Sequence, residues 1–173
     1  TLDALEKINT GEIPTLLAGR LDLQRLGLFG MSFGGSAASR VCLVDSRCKA
    51  LLTLDSPQYS AVEAGQIQPP LLLMVSTQGE YVERGVFENA GGPAYLVSVK
   101  DAVHHNFSDL SLISPLSSAL GFMGPISGEQ MQRTMNAYTL AFFDRHLRDL
   151  PGVLLNGRSA EFPEVSIESR KPP

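Results

Sequence analysis

The stretch Gly30-Met31-Ser32-Phe33-Gly34-Gly35 narrows what this chain can fold into more than any other. The apolar run Leu26-Gly27-Leu28-Phe29 precedes it, and the small residues Ser36-Ala37-Ala38 follow. An apolar strand, a serine between glycines and a helix of small residues describe a nucleophile elbow. Such a turn is tight and strained. Only side chains as small as glycine are expected to fit two positions either side of the serine, at Gly30 and Gly34. The turn lifts the Ser32 hydroxyl clear of the sheet. It also aims the first amides of the next helix at a reacting carbonyl. The chemistry implied is acyl transfer through a serine.

Length and composition set the frame. With 173 residues the chain is long enough for one domain with a substantial core. Hydrophobic residues make up 43% and charged residues 18%, a globular balance rather than a disordered one. A net charge of -4 offers no basic surface for nucleic acid. No apolar run reaches the roughly 18 residues of a transmembrane helix. The chain opens at Thr1 with neither an initiator Met nor a signal-peptide pattern, so any targeting segment is expected to lie outside it. Cys42 and Cys48 stand between the helix after Ser32 and the following strand. They read either as two unlinked thiols or as a disulfide pinning that turn. A disulfide would favour a secreted or periplasmic setting over a cytoplasmic one. Two cysteines without a nearby histidine fall short of a metal-ligand set, so no metal and no cofactor are expected.

Along the chain, apolar runs alternate with helical patterns. Residues 1–9 read as the end of a helix, stopped at Asn9-Thr10-Gly11. Strands are expected at 26–30, 50–54, 71–75 and 94–99, with helices at 35–44 and 80–89 between them. Residues 56–69 read as loop, and Gly91-Gly92-Pro93 as a break. Ser127 and Gln130 form a capping-box pattern opening a helix to about Leu150. Its apolar face carries Met131, Met135, Tyr138 and Phe142. Residues 151–173 read as an extended C-terminal tail of one domain. The fold expected is α/β, a mostly parallel sheet with helices on both faces. The strand at 26–30 is fully apolar, yet nothing before it in the chain could pair with its far side. An apolar, unpaired edge is a liability. Partner strands outside residues 1–173, or a neighbouring chain, are therefore expected to cover it.

A serine hydroxyl needs a base to become a nucleophile. The histidines are His104, His105 and His146. His146 sits within the final helix and reads as an ordinary helix-end residue. His104 and His105 follow the strand at 94–99, at the C-terminal rim where open α/β sheets hold ligands. The base in turn needs a carboxylate to hold its tautomer. Asp55 ends the strand at 50–54, and Glu80, Asp101 and Asp109 are its rivals. Usual practice in this architecture places the acid after the next strand but one, which favours Glu80. Asp55 sits directly at a strand end and precedes the turn-forming Ser56-Pro57. Residue spacing leaves the choice open.

The segments Gly30-Met31-Ser32-Phe33-Gly34-Gly35, Leu54-Asp55 and Val103-His104-His105-Asn106-Phe107-Ser108-Asp109 together resemble the platelet-activating factor acetylhydrolases of the plasma and type II kind. The resemblance extends to their bacterial dienelactone-hydrolase-like relatives. Asn136 to Leu147 and Phe162-Pro163-Glu164-Val165 are similar to further segments of those relatives. The resemblance implies an α/β-hydrolase fold. It also implies Ser32 as nucleophile, Asp55 as acid, His104 as base and the Phe33 amide as an oxyanion-hole donor. The implied substrate is a small ester or lipid, including short-acyl phospholipid esters. Phe107, with the apolar segment Leu110 to Met123, is a candidate to line an acyl pocket. The family's second oxyanion donor comes from a loop after an early strand, and no His-Gly segment precedes Ser32 here. The chain therefore looks like the C-terminal half of such a hydrolase, expected to need its N-terminal strands or a neighbouring chain.

Two other readings compete. Gly30-x-Ser32-x-x-Gly35 mimics a dinucleotide fingerprint, with Asp55 near the ribose position. Its middle glycine is a serine, whose side chain would obstruct backbone approach to a pyrophosphate. The other reading is a catalytically impaired hydrolase fragment or a binding protein on the same fold. Such proteins usually lose the serine or the histidine, and all the triad candidates are present here.

Overall fold

Four apolar runs form the parallel part of one sheet. The computed structural model describes residues 2–57, 67–114, 117 and 120–171. Strands β1 (Leu26–Met31), β2 (Cys48–Leu54), β3 (Leu71–Ser76) and β4 (Ala94–Val99) lie side by side in chain order. They pair in parallel, with Leu28 opposite Leu51, Thr53 opposite Leu73 and Met74 opposite Val97. A fifth strand, β5 (Val165–Arg170), pairs antiparallel to β4. The order β1-β2-β3-β4-β5 leaves β1 at an edge, paired only with β2 among the described residues.

Alternate residues of each inner strand feed two cores. Ala50, Leu52, Leu54, Leu72, Met74 and Val97 face one side, where helix α5 (Gly128–Leu147) brings Met131, Tyr138 and Phe142. Leu51, Leu71, Leu73, Val75 and Leu96 face the other. There α2 (Phe33–Val44) contributes Ala38 and Cys42, and α3 (Thr77–Asn89) contributes Val86 and Phe87. Both faces are covered, so β2, β3 and β4 are apolar at nearly every position instead of alternating. The capping pattern at the start of α5 is realised, since the Ser127 side chain accepts from the Gln130 amide. The first helix, α1 (Leu2–Thr10), buries none of its residues. Its Asp3 and Glu6 reach Arg47 in the turn before β2.

Two features differ from the sequence expectations or resolve them. The tail at 151–173 is not merely extended: Leu155 and Phe162 are buried, and residues 165–170 become β5. Cys42 and Cys48 form a disulfide, with Cα atoms 5.2 Å apart. It ties the last turn of α2 to the first residue of β2. In the chain-entropy account, a cross-link over so short a loop restricts the unfolded chain by about 2 kcal/mol. Replacing both cysteines by alanine is expected to lower unfolding stability by about that much. Urea denaturation checks it, and an unchanged midpoint would show that the link contributes nothing. The loop expected at 56–69 falls largely outside the described residues, as do parts of the segment 110–123.

Candidate active site

The strand-to-helix turn at Ser32 is strained. Ser32 lies at φ 54° and ψ -128°, directly between β1 and α2. Its amide donates to the Leu54 carbonyl at 3.0 Å, which ties the turn to the end of β2. A Cβ on Gly30 would fall 2.5 Å from the Gly34 carbonyl carbon, so only glycine fits there. Gly34 is different, because a Cβ there would meet nothing within 4 Å. The crowded partner is Gly35, where a Cβ would lie 2.0 Å from Ser56 Oγ and 2.7 Å from the Gly30 carbonyl oxygen. Gly34 points outward from the first turn of α2, while Gly35 packs against the end of β2. The expectation of a crowded glycine on each side thus holds at Gly30 and moves from Gly34 to Gly35.

Asp55 follows β2 and shares the feature, at φ 44°. Non-glycine residues rarely adopt positive φ, and those that do tend to cluster where a site demands them. Its amide donates to the Met74 carbonyl at 2.7 Å. Two hydroxyls fasten this turn to the elbow. Ser56 Oγ donates within reach of the Gly30 and Leu54 carbonyls, and Ser36 Oγ donates to the Pro57 carbonyl at 2.6 Å. Nucleophile turn and acid turn are therefore one bonded unit.

His104 arrives from the other side. It opens a 3-10 turn, His104–Phe107, beyond β4. Asn106 is fully buried, and its Oδ1 accepts from the amides of Val103 and Gly124, both at 2.9 Å. That anchor holds the loop over the sheet rim. His104 Nδ1 then lies 2.8 Å from Asp55 Oδ2, and Nε2 lies 3.0 Å from Ser32 Oγ. A carboxylate only accepts, so Nδ1 carries the proton and the Nε2 lone pair faces the serine hydroxyl. The Asp55 side chain is 9% exposed and that of His104 is 40% exposed. The carboxylate is thus shielded while the imidazole opens onto solvent. A cleft of about 300 Å³ lies beside them, walled by Ser56, Pro57, Gly79, Val82 and Glu83.

The rival groups are elsewhere. Glu80 pairs with Arg84 at 2.8 Å. Asp101 lies in a turn of positive φ, and Asp109 precedes the short helix α4 (Leu110–Ile113). His105 stacks edge-on against His104 and Phe122. His146 packs on Tyr95 and Phe142, and burial there holds it below the ordinary imidazole value. Phe107 does not line the cleft. It is 4% exposed and packs in the α5-side core. Leu112, Ile113, Leu120 and Phe122 of the neighbouring segment are exposed. Among the described residues no group of three or more His, Cys, Asp or Glu side chains could hold a metal. No helix among them is long and apolar enough to cross a membrane.

Sequence reasoning missed the fasteners Ser36 and Ser56, the Ser76 amide that donates to Asp55 Oδ1 at 2.8 Å, and the cleft wall at Gly79 and Val82. Gly79 left a trace, as a glycine where a helix begins three residues after a capping serine.

The solved ferulic acid esterase from Streptomyces cinnamoneus superimposes with a TM-score of 0.77 at 25% identity, covering 96% of this chain and 53% of that one. A platelet-activating factor acetylhydrolase from Cavia porcellus is 27% identical over 142 residues, which is 76% of this chain and 32% of that protein. The chain thus spans about a third of one relative and about half of the other. The fold is that of an α/β-hydrolase. The sequence profile described as platelet-activating factor acetylhydrolase, isoform II, matches residues 7–151, and the chain belongs to that family.

Proposed function

We propose that this chain carries the catalytic triad of a serine ester hydrolase, with Ser32 as nucleophile, His104 as base and Asp55 as acid. The observation that carries the reading is the continuous hydrogen-bond chain from Ser32 Oγ through His104 to Asp55. His104 Nε2 takes the hydroxyl proton as Ser32 Oγ bonds to the ester carbonyl carbon. The carbonyl π pair moves to oxygen, and the tetrahedral oxyanion forms. The first amide of α2, on Phe33, has no acceptor inside a helix and donates to that oxyanion. Collapse breaks the bond to the alcohol oxygen, which leaves with the proton from His104. Water, deprotonated by the same imidazole, then attacks the acyl-enzyme and releases the acid. Asp55 holds the tautomer and stabilises the imidazolium without taking its proton.

The natural substrate proposed is a carboxylic ester with a short acyl group, including phospholipid esters of the platelet-activating factor kind. The name of the acetylhydrolase relative and a cleft near the lower limit of small-molecule sites support this. The open edge of β1 favours one refinement. Chain pairing with that edge, whether a further segment or a neighbour, supplies the second oxyanion donor. Lacking one donor costs about 100- to 1000-fold in turnover.

A fluorophosphonate ester tests the reading, because it phosphonylates serines activated by a neighbouring base. The expected result is a single adduct, mapped by mass spectrometry to Ser32. An unmodified chain, or an adduct on another serine alone, would remove Ser32 from the role.

A further inference from the structure

Asp55 does more than meet His104. Its second oxygen, Oδ1, reaches into the first turn of α3. There it accepts from the Ser76 amide at 2.8 Å. Ser76 is the N-cap of α3, and its own hydroxyl accepts from the Gly79 amide at 3.0 Å. A helix N-terminus favours negative charge, so the carboxylate sits where the backbone dipoles support it. The approach is close. A Cβ built on Gly79 would lie 2.3 Å from Asp55 Oδ1, and 3.2 Å from Ser76 Oγ. The contact at 2.3 Å is impossible, so something must yield. The helix backbone is fixed between two strands, whereas the carboxylate is the end of a side chain with two rotatable bonds. It is the carboxylate that moves.

We infer that Gly79 is a positioning residue, absent of a side chain so that the acid can lodge in the first turn of α3 and aim its other oxygen at His104. The inference rests on the triad reading above. It carries a sign that helix propensity alone does not. Alanine is the better helix former, so a glycine there for ordinary reasons would gain or hold stability on replacement. A methyl group at this position instead displaces the carboxylate, releases the His104 Nδ1 proton and lets the imidazole take either tautomer. Thermal stability and catalytic competence should therefore separate in this variant.

The test compares the wild-type chain with G79A by three measurements. Proton NMR follows the low-field resonance of His104 Nδ1–H bonded to Asp55, identified by its loss in D55N. Fluorophosphonate labelling gives the rate at which Ser32 reacts. Thermal melting reports the fold. Expected for G79A are a cooperative melt within several degrees of wild type, loss of the low-field proton, and labelling slowed at least about 100-fold, towards the about 10,000-fold of a triad with its acid amidated. A G79A chain that keeps the proton and the labelling rate overturns the inference. So does one that loses its cooperative melt, because the glycine is then needed for the fold itself. A wild-type spectrum without the low-field proton overturns it at the premise. A wild-type chain that shows the proton but resists labelling removes the triad reading and leaves the placement of Asp55 by Gly79 standing if G79A abolishes the proton.

Discussion

Replacing Ser32 by alanine is expected to lower kcat for p-nitrophenyl acetate by up to about a million-fold, the scale seen when a triad loses its nucleophile. The reason lies in what remains. His104 and Asp55 would still hold each other at 2.8 Å, and the amides of the α2 turn would still face the cleft, but no atom would be placed to bond the carbonyl carbon. Residual turnover comes only from binding and amide donation to a water attack. Stability should hardly change. Ser32 contributes one side-chain hydrogen bond, at 3.0 Å to His104, and alanine inherits the same positive φ without added bulk. Loss of one such bond is worth about 1 kcal/mol, a few degrees of melting temperature at most. Turnover and melting curves on one preparation check both parts. Wild-type-like turnover in the alanine variant would end the mechanism.

Replacing Asp55 by asparagine is expected to cost about 10,000-fold in kcat while leaving the chain folded. Asparagine suits this position. It tolerates positive φ as well as aspartate does, and its carbonyl oxygen can keep the Ser76 amide. The amide nitrogen then faces His104 Nδ1 and donates to it. The imidazole is forced into the opposite tautomer, with its proton on Nε2 directed at Ser32, so it can no longer receive the serine proton. The loss should fall on kcat, with KM little changed, because the cleft keeps its shape and only the proton acceptor is missing. Steady-state kinetics separates the two. A large rise in KM with kcat intact would place Asp55 in substrate binding.

The parallel core was legible in the sequence because strands buried on both faces are apolar throughout, as in Leu71-Leu72-Leu73-Met74-Val75. The last strand was not. In Val165–Arg170 the core takes Val165, while Glu168 and Arg170 find partners in α3 and the loop after it. Such a sequence looks like a solvated tail until β4 is there to pair with it. The turn at Ser32 was legible because an elbow leaves glycines in fixed places, though which of Gly34 and Gly35 is crowded depends on where Ser56 arrives from another strand. Spacing alone left Glu80 and Asp55 both open, and the family resemblance chose Asp55. In the structure Glu80 is engaged by Arg84, and the Asp55 backbone turns back towards the elbow at positive φ. Phe107 was misjudged for a related reason. The packing of the turn His104–Phe107 against the core decides which of its side chains are buried, and residue order within the turn does not show it. Gly79 matters through an atom 24 positions earlier in the chain, and no local pattern reports such a meeting.

The two margins of the sheet have opposite characters. On one side β5 runs antiparallel against β4, and its Glu168 is clasped by Arg84. On the other, β1 presents Phe29, 62% exposed, beside backbone groups that no described strand engages. Two copies meeting β1 to β1 would join through the same strand of each, an isologous contact about a two-fold axis.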